Sequence, residues 1–352
     1  MSPDTKSIRQ GEELNEANLQ AFLRENLNAK SEQIEILQFP SGSSNLTYLV
    51  KIENKEFVLR RPPFGNNVKS AHDMKREFDV LEKLSKVYKP APKPLVYSAD
   101  ENIIGSEFYL MERRTGLIIR GKSPKNLEKL KNLQRQVCES FIENLVELHL
   151  LDYKKIGLSE LGKPEGYTKR QVEGWTKRYF NAKTDEHAAL ETVIEWLNKN
   201  IPNESGASLV HNDYKFDNVM LNPENLAEIT AVLDWEMTTV GDPLMDLGTT
   251  LGYWMSLETD AKILSMPFNP RVLMENITRQ ELVEIYEEKS GKSVSNILFY
   301  YVFGTFKIAV IAQQIYFRYV KGYTKDNRFA AFNHFVKALG QIALKAIGTE
   351  KI

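Results

Sequence analysis

Cysteine is nearly missing from this sequence. Cys138 stands alone among 352 residues, which excludes an internal disulfide and any metal site built from several thiolates, and fits a reducing compartment. A cytoplasmic address is therefore the expectation. Net charge is missing too: 46 Lys and Arg stand against 47 Asp and Glu, so no overall field favours nucleic acid or an anionic membrane, and neither is expected as a partner. The opening MSPDTKSIRQGEELNEANL lacks the apolar stretch of a signal peptide. No long hydrophobic run is unbroken. The most apolar one, Ile297 to Phe317, is interrupted by Lys307, Gln313 and Gln314, which a membrane span tolerates poorly; it reads as a buried core helix. Internal repeats and low-complexity tracts are absent as well.

What is present is a 42% apolar content on a chain long enough for two domains or two lobes. Residues 1 to 12 are polar and expected to be loose. LNEANLQAFLREN spaces Leu14, Leu19, Phe22 and Leu23 for one helix face. EQIEILQF, NLTYLVKIE and EFVLRR then alternate apolar with polar residues, as an antiparallel meander does. A helix over SAHDMKREFDVLEKLSKV is closed by KPAPKP, and PLVYSAD and SEFYLMER supply two more strands. Beyond about residue 115 helical patterns dominate, interrupted near residues 209–221 and by EITAVLDWEM, a short buried strand ending at Asp234. The expectation is an α+β chain: a small sheet-rich lobe, a larger helical lobe and a cleft between them.

LVHNDYKFDNVML, residues 209 to 221, sets His211, Asp213 and Asn218 at the spacing H-x-D-x-x-x-x-N between apolar flanks. Phosphoryl transfer needs a carboxylate to accept the hydroxyl proton of the acceptor and an amide oxygen nearby to help hold a metal that shields the triphosphate. A loop can aim both into one cavity. Asp234, at the end of an apolar strand, adds a second carboxylate suited to the metal. One Asp in a loop is more often a turn former or helix cap than a catalyst; the ordered co-occurrence of loop, strand-terminal Asp and upstream sheet lobe is what carries the reading.

With NLTYLVKI, FVLRRPP, VHNDYKFDNVML and VLDWEMTTVGDPLMDLG in place, most of the chain resembles the aminoglycoside phosphotransferase superfamily. These are small-molecule kinases with a protein-kinase-like two-lobe fold, and the branch associated with acyl-CoA dehydrogenases is the most similar. The resemblance implies a nucleotide-binding lobe over residues 1–111 and a catalytic, substrate-binding helical lobe over 112–352. It implies ATP and Mg²⁺, with Asp213 as catalytic base and Asn218 and Asp234 as metal ligands. His211 is expected to pack and hydrogen-bond, and Asp246 of GDPLMDLG to brace the catalytic loop; Asp242 and Asp217 are expected as cap or turn residues.

In the first lobe, Ser41, Gly42, Ser43 and Ser44 lie where a kinase has its phosphate-covering loop, although Gly42 is the one glycine there; a polar hairpin tip is the alternative. Arg60 stands where protein kinases place a phosphate-binding lysine, with Glu77 as its partner. Strand alternation sends Arg61 to the opposite face, toward solvent. YLMERRTG is the expected hinge, with adenine at the backbone of Glu112 and Arg113 and with Met111 or Leu110 packing on the base. Asn212 replaces the Arg that reads a phosphorylated activation loop, and Gly241 comes only seven positions after Asp234, so activity without prior phosphorylation is expected. Trp235 and Glu236 follow Asp234 in place of Phe and Gly, which argues against a large flip of this strand end. The acceptor pocket is expected at Tyr167, Arg170, Trp175 and Arg178, with Trp254 and QQIYFRY. Its cations suit an anionic acceptor, a hydroxyacyl-CoA or hydroxy acid. An aminoglycoside, amino-alcohol or sugar kinase, and a nucleotide-binding pseudoenzyme, are the alternatives.

Overall fold

Alternating apolar residues over 34–61 build a meander in the computed structural model, which describes residues 4–27, 30, 33–40, 45–64, 73–120, 127, 130–255, 271–324 and 326–352. The chain divides into two compact units, Met1–Thr115 with Thr230–Glu236, and Gly116–Ile229 with Met237–Ile352. Ser41, Gly42, Ser43 and Ser44 lie outside the described residues.

In the first unit, helix α1 (Glu16–Leu27) precedes strands β1 (Ile34–Gln38), β2 (Leu46–Ile52) and β3 (Lys55–Arg61). Helix α2 (Met74–Leu84), strand β4 (Pro94–Ser98), the short helix α3 (Glu101–Ile104) and strand β5 (Phe108–Glu112) follow. The strands form one antiparallel sheet in the order β1-β2-β3-β5-β4. Leu19 and Leu23 of α1 pack with Tyr48, Val50, Leu59, Phe108 and Leu110. Asp73 caps α2, its side chain accepting from the Arg76 N–H at 2.8 Å, and α2 buries Glu77, Val80, Leu81 and Leu84.

Two sequence expectations are corrected here. Arg61 does not face solvent: it is 2% exposed, because β3 is a central strand and its last five residues are all buried. Its guanidinium donates to the carbonyls of Ile104 at 2.8 Å and Pro62 at 3.0 Å and lies 3.6 Å from the Phe64 ring centre. The described part of the N-terminal tail is not loose either. Lys6 and Gln38 exchange backbone hydrogen bonds of 2.8 Å, and Tyr48 donates to the Glu12 carbonyl at 2.7 Å.

The second unit is mainly helical: α4 (Lys131–Leu150), α5 (Tyr167–Ala182), α6 (Ala188–Lys199), α7 (Pro243–Tyr253), α8 (Arg271–Met274), α9 (Arg279–Ser290), α10 (Ile297–Val320) and α11 (Phe332–Thr349). Between α6 and α7 the chain forms four short strands, β6 (Ser208–Val210), β7 (Val219–Leu221), β8 (Ile229–Val232) and β9 (Thr239–Gly241), of which β8 falls almost wholly in the first unit, and β6 pairs β9 antiparallel. Asp242 is the N-cap of α7, accepting from the Leu244 N–H at 2.9 Å ahead of Pro243. Helices α7 and α10 meet at backbone contact, since a Cβ on Gly248 would overlap the Tyr300 carbonyl and one on Gly304 the Gly248 carbonyl. Helix α10 is long and apolar enough to cross a membrane, but 78% of its most apolar window is buried inside the protein. This close approach sets the buried face of α10 against the segment after β6.

Candidate functional site

Strand β6 leads into His211, Asn212 and Asp213. Asn212 takes a left-handed φ of 67°, a conformation that a non-glycine residue keeps only where its surroundings hold it. Asp246, fully buried on α7, does much of that holding. Its two oxygens accept from the backbone N–H of His211 at 2.6 Å and of Asn212 at 2.8 Å, and His149 Nε2 lies 3.2 Å away. Burial alone would raise the Asp246 carboxyl; the hydrogen bonds from His149 and from the His211 backbone outweigh it and hold the group below the usual carboxylate range. Asn212 also donates from Nδ2 to the Met237 carbonyl at 3.0 Å and accepts at Oδ1 from Tyr167 at 3.0 Å.

This frame presents Asp213. Its Oδ1 accepts from the Tyr253 hydroxyl at 3.0 Å, and its Oδ2 from Lys215 Nζ at 2.6 Å and Asn218 Nδ2 at 3.0 Å. Asn218, in the 3₁₀ turn Phe216–Asn218, also donates from Nδ2 to the Asp213 carbonyl at 2.9 Å. Its amide nitrogen thus faces Asp213, and its side-chain oxygen keeps the hard-donor character that Mg²⁺ takes. Asp217 lies in the same turn, and burial pushes its carboxyl up to about 6. Sequence reasoning missed Lys215 and Tyr253. Lys215 stands two residues from the proposed base and was legible; Tyr253 depends on the course of α7 and was not.

The four residues expected at the acceptor line one cavity of about 410 Å³: Tyr167, Arg170, Trp175 and Arg178, together with Lys163 and Asn212 among others. Among the described residues no Asp or Glu lines it. Arg178 lies over the Trp175 ring at 4.5 Å. Trp254 and Gln313 are not part of this wall. Trp254 is buried and donates to the Ile277 carbonyl at 3.2 Å, and Gln313 donates to the Ala182 carbonyl at 2.8 Å.

In the first unit, Arg60, Glu77 and Asp234 converge. Arg60 Nη2 lies 2.9 Å from Asp234 Oδ1, and its Nε 3.2 Å from Glu77 Oε2. Both partners of the Arg60–Glu77 pair are buried, so this is not the exposed pair that contributes little. Burial pushes the Glu77 carboxyl above its ordinary range, against the opposing pull of Arg60. Glu236, unassigned in the sequence reading, sits 3.6 Å from Arg60 Nη2 and accepts from Asn45 Nδ2 at 2.7 Å. Asp234 also has a left-handed φ, 67°, and its side chain is 34% exposed. Trp235 beside it is buried, donating to the Val232 carbonyl at 2.8 Å and meeting Tyr88 edge to face. At the expected hinge, the Glu112 N–H is spent on the Lys93 carbonyl at 2.9 Å, and the Arg113 guanidinium pairs with Asp4 at 3.0 Å and with Glu56.

Among the described residues no cluster of three or more His, Cys, Asp or Glu is placed to hold a metal ion. Taken each within its own unit, the amide oxygen of Asn218 and the carboxylate of Asp234, whose side chain is 34% exposed, are oxygen donors of the kind Mg²⁺ takes, which is commonly bound by one or two side chains together with substrate phosphates.

A model of the phosphotransferase enzyme family matches residues 35–265. Acyl-CoA dehydrogenase family member 11 of Gallus gallus is 32% identical over 356 residues, covering 98% of this chain and 45% of the relative, so the chain spans about half the length of that protein. A crystal structure from Ralstonia eutropha, of a protein assigned to the aminoglycoside phosphotransferases, superposes with a TM-score of 0.79 at 27% identity, covering 95% of this chain and 98% of that one. Aminoglycoside phosphotransferase APH(4)-Ia, solved in ternary complex with AMP-PNP and hygromycin B, shares the fold at a TM-score of 0.60 and 14% identity, covering 94% of this chain and 98% of its own.

Proposed function

The chain belongs to the phosphotransferase enzyme family, and on that premise we propose that it transfers the γ-phosphoryl group of ATP to a hydroxyl of a small anionic acceptor, a hydroxyacyl-CoA or hydroxy acid. The observation that carries the acceptor class is the cavity wall: among the described residues, Lys163, Arg170 and Arg178 line it and no carboxylate does. A polycationic aminoglycoside would meet like charge there; a carboxylate or phosphate would meet guanidinium groups that bind it well.

Asp213 orients the acceptor hydroxyl and takes its proton as the new O–P bond forms and the bond to the leaving ADP breaks. Lys215, 2.6 Å from Asp213 Oδ2, offsets negative charge near the transferring group. Tyr253 fixes the other carboxylate oxygen, and burial pushes its phenol up, so it stays a neutral donor. Arg60, steadied by Glu77, is assigned to the phosphates, and Asn218 and Asp234 to Mg²⁺. The metal, when bound, shields the triphosphate and stabilises charge that develops on its oxygens.

Incubation of the protein with labelled ATP and a panel of hydroxyacyl-CoAs, hydroxy acids, amino alcohols, sugars and aminoglycosides tests this reading. Label is expected on the anionic members, and transfer confined to aminoglycosides or amino alcohols would reverse the acceptor assignment. In Arg178→Gln, loss of a charged hydrogen bond raises KM for an anionic acceptor roughly 10- to 100-fold and leaves KM for ATP unchanged. In Asp234→Ala, Mg²⁺-dependent ATP turnover falls roughly 10²- to 10³-fold, the several kcal/mol that metal charge stabilisation supplies. Turnover that ignores Asp234 would leave a nucleotide-binding scaffold in place of an enzyme.

A further inference from the structure

Lys307 lies in the middle of α10, the most apolar helix, and is 2% exposed. Its Nζ donates to the Asn212 carbonyl at 2.5 Å and lies 5.5 Å from the centre of the Trp175 ring. Among the described residues no carboxylate forms an ion pair with it. One carbonyl and one ring are meagre company for an ammonium with three donors. Burying a charge so incompletely paired is destabilising, and an apolar side chain of similar length would suit this core position better. A residue kept at a cost to stability points to function.

The function is visible in what Lys307 touches. The Asn212–Asp213 peptide is gripped at both ends, its oxygen by Lys307 and its N–H by His211 Nδ1 at 3.3 Å. That peptide sets the direction in which Asp213 leaves the backbone, and it follows directly on the left-handed Asn212. From this geometry we infer that Lys307 is a positioning residue for phosphoryl transfer: its ammonium, seated against the Trp175 wall of the acceptor cavity, fixes the Asn212–Asp213 peptide and thereby the aim of the Asp213 carboxylate. The inference rests on Asp213 being the base.

The charge on Lys307 is within reach of titration. Burial pushes it down to about 8; Asp213 and, from α7, Asp246 pull it up, while Lys215 and, from α5, Arg178 push it further down. The proton is therefore lost as pH rises through about 8, whereas an unfolded lysine keeps its proton to about 10.4. Across that interval the unfolded chain binds more protons, so stability rises with pH. The grip on Asn212 weakens over the same interval, which makes activity and stability move in opposite directions.

The full chain, Lys307→Met and Lys307→Arg are compared with Mg-ATP, using water as acceptor where no better one is known, from about pH 6.5 to 9.5. The natural chain is expected to lose turnover on the alkaline side, with a midpoint near 8. At neutral pH, Lys307→Met loses roughly 10- to 100-fold in kcat with KM for ATP within about twofold, and melts at the same or a higher temperature. Lys307→Arg, permanently charged, retains most activity and a flat profile over this range. An alkaline limb that survives in Lys307→Arg, or a Lys307→Met chain that turns over normally or melts lower, overturns the inference. If no chain turns over ATP, it is the phosphotransfer reading that fails, and amide exchange over residues 209–214 decides Lys307 separately. Faster exchange in Lys307→Met at an unchanged melting temperature supports the anchor, and unchanged exchange removes it.

Discussion

Asp213→Asn lowers phosphoryl transfer by roughly 10²- to 10⁴-fold while Kd for nucleotide stays within about twofold. Asn has the shape of Asp, and its side-chain oxygen can still accept from Tyr253, which lies 3.0 Å from Oδ1. What it lacks is the basicity to take the hydroxyl proton and the charge that pairs with Lys215 at 2.6 Å. A loss confined to kcat is therefore expected, since the missing interaction is one made as the proton moves. Steady-state turnover and equilibrium nucleotide titration on the same preparation provide the check. If kcat survives within about threefold, Asp213 is not the general base.

The spacing of Asp213 and Asn218 was legible because the two are local, five positions apart along the chain. Their meeting needs only the chain between them. Arg60 and Glu77 were legible for a related reason: alternation along β3 and the helical period of α2 each fix one face, and the two faces are adjacent. Arg61 shows where alternation stops being informative. It predicts opposite faces for neighbours correctly, but whether the second face is wet depends on what covers it, and α1 and α3 arrive from elsewhere in the sequence. A central strand covered on both sides can bury an arginine if two carbonyls and a ring are waiting. Lys307 is a case of the opposite kind. It was visible from the start as the charge interrupting an apolar helix, yet its partner, the carbonyl of Asn212, lies 95 residues away, and no periodicity links the two. Tyr253 and Glu236 were hidden in the same way, being set by where α7 ends and where the chain turns after Asp234.

Asp246→Ala is the substitution with the largest expected effect on stability. Asp246 is fully buried, and its removal strips acceptors from the backbone N–H of His211 and Asn212 and from His149. Breaking a buried charged network from one side costs about 3–5 kcal/mol, because the groups left behind cannot reach water. Turnover falls with it, since Asn212 holds its left-handed conformation partly through that carboxylate. Asp246→Asn keeps one acceptor oxygen but turns an NH₂ toward a donor, and should lie between Ala and the natural residue. The pH dependence carries the sign. Since the folded carboxyl is held below its ordinary value, its contribution is fully present above the unfolded carboxylate pKa of about 4 and is lost as pH falls through the folded value. Urea unfolding of the natural chain, Asp246→Asn and Asp246→Ala between about pH 3 and 7 tests both parts, and the acid-side loss of stability should be shallower in the two variants. An Asp246→Ala chain as stable as the natural one, with full turnover, would mean that the 211–213 segment holds its shape without its central acceptor.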